Sequence, residues 1–284
     1  NQRLSVLPEW KRFVFNERFL AADEDLMSEA IEIRNEHEKT YLYLREVFED
    51  ERLLEQKLDF LMHGPDILLT TPITEDIWEG FLKDPNSILA RKASTEYQAA
   101  IEKQIEACQR IFIRQLGVLA GEAGTGKTTV IRALIKAIKR GHGAGTSVIA
   151  LAPTGKAADR IREVVEQDEG LKGKVEIATI HSFLAKRGWL NNNMTFKRSG
   201  GKVEENYSTY ILDECSMLDL SLTAAFFRAV KWNTVQRLIL VGDPNQLPPI
   251  GRGRIFADII ESLKNKAPES IATLEQNLRQ LTGR

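Results

Sequence analysis

Residues 121–129 read GEAGTGKTT and directly follow the apolar run Gly117-Val118-Leu119-Ala120. Gly121, Gly126, Lys127 and Thr128 fit the spacing G-x-x-x-x-G-K-[ST]. Glycines let backbone N–H groups turn inward around an anion, and a following helix points its positive end at the same place. The stretch therefore predicts a strand, a phosphate-binding loop and a helix, which together begin an α/β fold.

The anion that this loop favours is a nucleoside triphosphate. Lys127 is predicted to neutralise the β- and γ-phosphates, and the Thr128 hydroxyl is predicted to hold Mg²⁺. The candidate nucleotide-binding residues in the loop are Gly121, Ala123, Gly124, Thr125, Gly126, Lys127, Thr128 and Thr129.

The composition is that of an ordinary globular protein. Of 284 residues, 43% are hydrophobic and 28% are charged. No apolar run approaches the roughly 18 residues that a membrane span requires, so we expect no membrane partner. Cys108 and Cys215 are the only cysteines, which excludes a disulfide framework or a cysteine-based zinc site and favours a cytoplasmic setting.

Charge divides the chain into an acidic front and a basic remainder. Residues 1–95 hold 12 basic and 20 acidic residues, a net charge of −8, and the rest holds 39 − 12 = 27 basic and 40 − 20 = 20 acidic residues, a net of +7. Apolar residues at helical spacing predict a mostly helical front up to Pro65. We therefore predict a small helical domain over 1–95 and an ATPase lobe over 96–284.

Short apolar runs alternate with helical patterns after residue 96. Four of them are β-rich and end in polar residues, as buried parallel strands do. These runs cover residues 148–151, 175–178, 210–212 and 238–241. The predicted fold is a parallel α/β sheet of the P-loop NTPase type with helices on both faces.

Chemistry-bearing side chains follow two of these strands. Asp213 and Glu214 are predicted to hold Mg²⁺ and to deprotonate the attacking water, respectively. Gln246 can hydrogen-bond a γ-phosphate or that water. Near the end of the chain, Arg279 offers a guanidinium that can stabilise a transferring phosphoryl group.

Six blocks in this order resemble the RecD-like branch of superfamily 1 DNA helicases. They read GEAGTGKTT, ALAPTGKAA (150–158), ATIHSFL (178–184), ILDECSM (211–217), VGDPNQLPPIGRG (241–253) and the block around Arg279. The resemblance covers residues 104–284 and implies a RecA-like lobe of an ATP- and Mg²⁺-dependent motor with 5′ to 3′ polarity. It also implies that Gln104 reads adenine, with Gln98 as the alternative.

The same resemblance implies single-stranded DNA contacts at two strand ends. The candidates are Pro153, Thr154, Lys156, His181, Ser182 and Phe183. Phe183 is equally well interpreted as a core residue. The segment between Leu184 and Tyr207 is either a strand-separating hairpin with Trp189 and Phe196 or a surface loop.

Arg284 follows the Arg279 block closely, so the resemblance implies a fragment that lacks the second motor lobe and hydrolyses ATP weakly or not at all. Three other functions stay open: a P-loop kinase or other small-molecule phosphotransferase, an RNA-directed motor, and a nucleotide-binding interaction module of a nuclease or repair complex. In the interaction module, the acidic front would dock a nuclease or a replication or repair protein.

Overall fold

The computed structural model describes residues 30–36, 39–83, 95–143 and 146–277. Within these ranges the chain forms eight strands and eight α-helices. The strands are β1 (Ile31–Glu36), β2 (Lys39–Leu44), β3 (Leu116–Gly121), β4 (Val148–Ala152), β5 (Glu176–Thr179), β6 (Thr209–Leu212), β7 (Arg237–Gly242) and β8 (Ile271–Leu274). The helices are α1 (Arg45–Met62), α2 (Glu75–Leu82), α3 (Thr95–Phe112), α4 (Lys127–His142), α5 (Gly155–Glu166), α6 (Ile180–Lys186), α7 (Leu220–Ala229) and α8 (Ile255–Lys266).

Six strands form one parallel sheet in the order β5-β4-β6-β7-β3-β8. β3, β4, β6 and β7 are buried along their whole length, as expected for apolar strands with both faces covered. Parallel strands present all their carboxyl ends at one edge of a sheet. The loops after β3, β4, β5, β6 and β7 therefore lie along that edge.

Helices cover both faces of the sheet, which confirms the predicted fold class. One hydrophobic cluster joins α1, α6, α7 and α8 to strand residues such as Val118, Leu151 and Leu240. The other cluster joins α2, α3, α4 and α5 to alternate strand residues, among them Leu119 and Ala150. Because neighbouring residues of a strand point to opposite faces, each buried strand supplies both clusters.

The front of the chain differs from the helical prediction. β1 and β2 form an antiparallel pair with Ile31 opposite Leu44, where the sequence predicts helix. Ile31 and Ile33 are two residues apart, and Tyr41 to Leu44 are β-favouring side chains, so the spacing also suits strands. Pairing between the two strands satisfies the backbone that a helix would otherwise satisfy.

The helices of the front pack against the sheet. Leu54 and Leu61 of α1 belong to one hydrophobic cluster, and Trp78 and Leu82 of α2 belong to the other. A domain boundary near residue 95 stays a prediction. In the part of the chain that the structure describes, no helix is long and apolar enough to cross a membrane.

Candidate nucleotide-hydrolysis and nucleic-acid site

The glycine-rich loop links β3 to α4 through two left-handed residues. Gly124 and Gly126 have φ of 89° and 90°, a conformation that glycine adopts at little cost. Gly121 has a different constraint, since an added Cβ would lie 2.8 Å from the Thr125 hydroxyl and 3.0 Å from the Leu274 carbonyl. The loop thus needs these glycines to curve tightly at the N-terminus of α4.

Lys127 lies at the first position of α4 and turns its ammonium back into the loop. Its Nζ donates to the carbonyl oxygens of Gly121 at 2.6 Å and Glu122 at 2.9 Å. Burial lowers the pKa of Lys127, while nearby carboxylates, with Asp243 first among them, act in the opposite direction. The ammonium is therefore held between the loop and an acidic wall. Thr128 and Thr129 follow in the first turn, half-buried.

Asp213 forms part of that wall directly after β6. Its side chain is buried, and burial raises its pKa to about 6, with the backbone N–H of Glu214 and the charge of Lys127 opposing the rise. The Glu214 N–H donates to Asp213 Oδ1 at 2.9 Å. A desolvated carboxylate of this kind gains stability from a cation placed beside it.

Glu214 has a left-handed backbone with φ of 52°, which is uncommon for a residue other than glycine. This turn separates its side chain from that of Asp213. Glu214 Oε1 accepts a hydrogen bond from Arg160 Nη1 of α5 at 3.3 Å. Neighbouring acids after one strand are thus placed in different surroundings, one buried and one paired.

Gln246 is linked to the same wall through a serine. Ser216 lies in the short 3₁₀ turn that follows Glu214, and its hydroxyl donates to Gln246 Oε1 at 3.1 Å. The loop that carries Gln246 is shaped by Asp243, whose carboxylate accepts the Asn245 N–H at 3.0 Å. The loops after β6 and β7 are therefore in direct contact.

The two glutamines considered for base reading lie on α3. Gln104 is buried, and its Nε2 donates to the Thr125 carbonyl of the loop at 3.1 Å, while its Oε1 has no hydrogen-bond partner. Gln98 is exposed, with Nε2 3.4 Å from Glu79 Oε1. Gln104 therefore supports the loop backbone, and Gln98 is the more accessible side chain.

The candidate nucleic-acid residues lie at the same sheet edge. Pro153 is half-buried at the end of β4, and Thr154 caps α5 by accepting the Ala157 N–H at 3.3 Å. Lys156 is exposed on the first turn of that helix. In α6, Ser182 donates its N–H to the capping Thr179 hydroxyl at 3.1 Å. Two helix N-termini thus lie on the same edge of the sheet as the nucleotide loop, at β4 and β5, with β6 and β7 between them and β3.

His181 is half-buried, with its ring 5.6 Å from that of Phe196. Two other aromatic candidates for nucleic-acid contact are buried. Phe183 is 1% exposed and packs against Tyr210 and Phe226, so it cannot stack on a base without leaving the core. Trp189 is also buried and donates its indole N–H to the Lys202 carbonyl at 2.8 Å, which excludes it from a wedge.

Arg279 lies outside the described residues. Just before it, Gln276 Nε2 donates to the Glu96 carbonyl at 3.1 Å, and Asn277 Nδ2 donates to the Ala123 carbonyl at 3.2 Å. The end of the described chain is therefore bonded to the glycine-rich loop.

Sequence analysis missed four residues of this site. They are Arg160, Ser216, Asp243 and Asn277. Asp243 had a signal, because it follows β7 as Asp213 follows β6. The others contact the site from positions whose residue types have many ordinary surface roles, so nothing in the sequence singles them out.

Comparisons with known proteins agree with this arrangement. Residues 104–252 match the sequence model of the family described as "AAA domain". An uncharacterized protein of Methanocaldococcus jannaschii is 31% identical over 92% of this chain. The RecBCD enzyme subunit RecD of Mycolicibacterium smegmatis is 31% identical over 62% of it, and the ATP-dependent RecD2 DNA helicase of Deinococcus radiodurans is 32% identical over 58%.

These relatives are much longer than the matched region. The chain covers 23% of the Methanocaldococcus protein, 33% of the mycobacterial RecD and 19% of the Deinococcus RecD2. The similarity to the RecD proteins confirms the resemblance noted from the six sequence blocks.

Proposed function

Because the chain belongs to the AAA domain family, we propose that it is the ATP-hydrolysing lobe of a RecD-like superfamily 1 DNA helicase or translocase. In this proposal the lobe binds ATP with Mg²⁺ and single-stranded DNA. Movement along DNA, 5′ to 3′ polarity and docking of nuclease or repair proteins on the front of the chain belong to the whole protein and are part of the same proposal.

One observation carries the proposal. The Lys127 ammonium is held by two carbonyl oxygens of the glycine-rich loop and faces the carboxylates of Asp213, Glu214 and Asp243. A loop that cradles phosphate therefore lies opposite acids that can bind a metal ion and accept a proton. A simple anion-binding loop would not need that acidic wall.

The residues present suit Mg²⁺. Mg²⁺ prefers oxygen ligands and uses few protein groups alongside phosphate oxygens. The buried Asp213 carboxylate and the Thr128 hydroxyl are the groups that would hold it. When bound, the ion would supply positive charge to the β- and γ-phosphates.

The chain's own groups divide the remaining work. Lys127 would leave the loop carbonyls for phosphate oxygens and offset their charge. Glu214 would accept a proton as a water oxygen attacks the γ-phosphorus and the bond to the bridging oxygen of ADP breaks. ADP and phosphate result, and the proton passes from Glu214 to solvent.

Gln246 would register the loss of the γ-phosphate. Its side chain oxygen is bonded to Ser216, two residues beyond Glu214, so a change at the catalytic loop reaches the loop after β7. Arg279, in the segment that continues from Asn277, would stabilise the transferring phosphoryl group. Gln104 is the residue proposed to read adenine, and Gln98, which is exposed, is the alternative.

Nucleic acid would bind along the loops after β4 and β5. Thr154, Lys156 and Ser182, at the N-termini of α5 and α6, can contact phosphates, and His181 can pack on a sugar or base. Pro153 shapes the first of these loops. The contacts are to the backbone, so they predict weak sequence preference.

Phosphate release tests the proposal. The rate from ATP would be measured without nucleic acid, with single-stranded DNA and with single-stranded RNA, for the full-length protein and for its Lys127→Ala and Arg140→Ala variants. Arg140 is an exposed cation on the far turn of the same helix and serves as the matched control. We expect DNA-stimulated release that only Lys127→Ala abolishes.

Three results would change the conclusion. Stimulation by RNA alone would favour an RNA-directed motor. ATP binding without release in the full-length protein would favour a nucleotide-binding interaction module. Release that survives Lys127→Ala would refute the assignment of the site.

A further inference from the structure

Among the residues that the structure describes, Arg160 is the only cation that pairs with the Glu214 carboxylate. Arg160 lies on α5, on the face of the helix that contacts the acidic loop after β6. Its positive charge reaches further into the site, since it opposes the burial-driven rise in the pKa of Asp213. Arg160 is therefore part of the electrostatics of the site although it lies outside the nucleotide loop.

The same helix begins at a candidate phosphate-binding loop. Thr154 caps α5, and Lys156 and Arg160 are four residues apart, so their side chains lie on one face. Both are exposed, Arg160 with 46% of its side chain accessible. A nucleic-acid strand with one phosphate bound by the Thr154 loop and Lys156 would have its next phosphates close to Arg160.

We propose that Arg160 is a positioning residue. It holds the Glu214 carboxylate until a nucleic-acid phosphate binds the Arg160 guanidinium instead. This inference rests on the proposed function. In the chain without nucleic acid, the hydrogen bond from Arg160 Nη1 to Glu214 Oε1 holds this carboxylate on the side of α5. When a nucleic-acid phosphate becomes the partner of Arg160, Glu214 is released for catalysis.

The energetics permit this exchange. The ion pair is a single contact at 3.3 Å and is half-exposed on the arginine side, and such pairs are weak. A phosphate offers the same guanidinium two oxygens and the bidentate geometry that arginine prefers. The exchange therefore needs no change in the fold, only a new rotamer of Arg160.

Competition for one guanidinium makes a reciprocal prediction. If Glu214 and a phosphate compete for Arg160, removing the Glu214 charge must strengthen nucleic-acid binding through Arg160. Binding of a fluorescein-labelled oligothymidylate would be measured by anisotropy over a series of salt concentrations. The variants are Glu214→Gln, Arg160→Ala, Arg160→Lys and the double variant Arg160→Ala with Glu214→Gln, made in the full-length protein.

We expect Glu214→Gln to tighten binding about 2- to 5-fold, which is the range of an exposed ion pair. Arg160→Ala should weaken binding. It should also reduce the slope of log K against log salt concentration by about 0.7, the value for one phosphate contact on single-stranded nucleic acid. In the Arg160→Ala background, Glu214→Gln should have no effect. Arg160→Lys keeps the charge and should restore the effect of Glu214→Gln.

Arg162→Ala is the matched control, because Arg162 lies on the same helix and pairs with Asp159. The effect of Glu214→Gln should persist in that background. In phosphate release without nucleic acid, Arg160→Ala should raise kcat about 2- to 5-fold and leave KM for ATP unchanged.

The outcomes separate the two proposals. If no variant binds the oligonucleotide and none responds to it in phosphate release, the proposed function fails and this inference fails with it. If DNA binds and stimulates release but the effects of Glu214→Gln and Arg160→Ala simply add, the proposed function stands and the role of Arg160 is refuted.

Discussion

Replacement of Asp213 by Asn should stabilise the nucleotide-free chain at neutral pH while it removes catalysis. Asp213 is 3% exposed, and its pKa rises from 3.8 to about 6, mainly through burial. The folded state therefore binds the proton more tightly than the unfolded state. Protonation stabilises the fold below pH 4, and this stabilisation is lost as the pH rises from 4 to 6.

The magnitude follows from the shift. A difference of 6 − 3.8 = 2.2 units corresponds to about 3 kcal/mol of destabilisation by the charged carboxylate above pH 6. At pH 5, where the carboxyl group of the folded chain is mostly protonated, the same linkage gives a destabilisation of about 1.5 kcal/mol. Asparagine keeps an oxygen for the Glu214 N–H, so Asp213→Asn removes the charge with little change in hydrogen bonding.

Urea unfolding of the native chain and Asp213→Asn at pH 5 and pH 7.5 measures this difference. We expect the variant to be more stable at both pH values, and its advantage to grow by about 1.5 kcal/mol between them. An advantage that does not change with pH, or a variant that is less stable at pH 7.5, would refute the reasoning.

Two further substitutions test the packing by urea unfolding. Gly201→Ala should destabilise the chain by about 1–3 kcal/mol, because an added methyl group would overlap the buried Trp189 ring. Its control, Gly80→Ala, has open space within α2 and should stabilise by roughly 0.5–1 kcal/mol; equal effects would contradict the assigned packing. Phe183→Ala should cost about 3–5 kcal/mol as a core substitution, and a loss below about 1 kcal/mol would restore Phe183 as a candidate base-stacking residue.

The sequence was sufficient for five of the six strands of the sheet and for the nucleotide loop, for a physical reason. Val148–Ala152 is a continuous apolar run, Arg237–Gly242 is one after its first residue, and short runs of this kind are typical of parallel strands buried on both faces. The loop motif specifies its own geometry, since Gly124 and Gly126 take a conformation that other residues avoid.

The front of the chain was less predictable. Apolar residues at 31, 33 and 41–44 fit helical and strand spacing alike, and the choice is made by the pairing of β1 with β2, a contact between two segments. β8 was missed because its four residues carry no clear periodicity, and it forms by pairing with β3.

Side-chain direction was the other limit. Phe183 and Trp189 each have polar and apolar neighbours in the sequence, and only the structure shows that both rings lie in the hydrophobic cluster that includes α7. Gln104 lies on the face of α3 that meets the loop, so its amide supports a carbonyl. The Arg160 contact joins residues 54 positions apart and depends on the order of the strands.

The most direct test of the hydrolysis site compares nucleotide affinity with the rate of hydrolysis after one substitution, Glu214→Gln. Affinity for a fluorescent ATP analogue and the rate of phosphate release would be measured with Mg²⁺ for the full-length protein and for Glu214→Gln. We predict unchanged or tighter nucleotide binding and a rate reduced by roughly 10²- to 10⁴-fold, the usual contribution of a general base. Release at the native rate in Glu214→Gln would contradict the central claim that this carboxylate activates the attacking water.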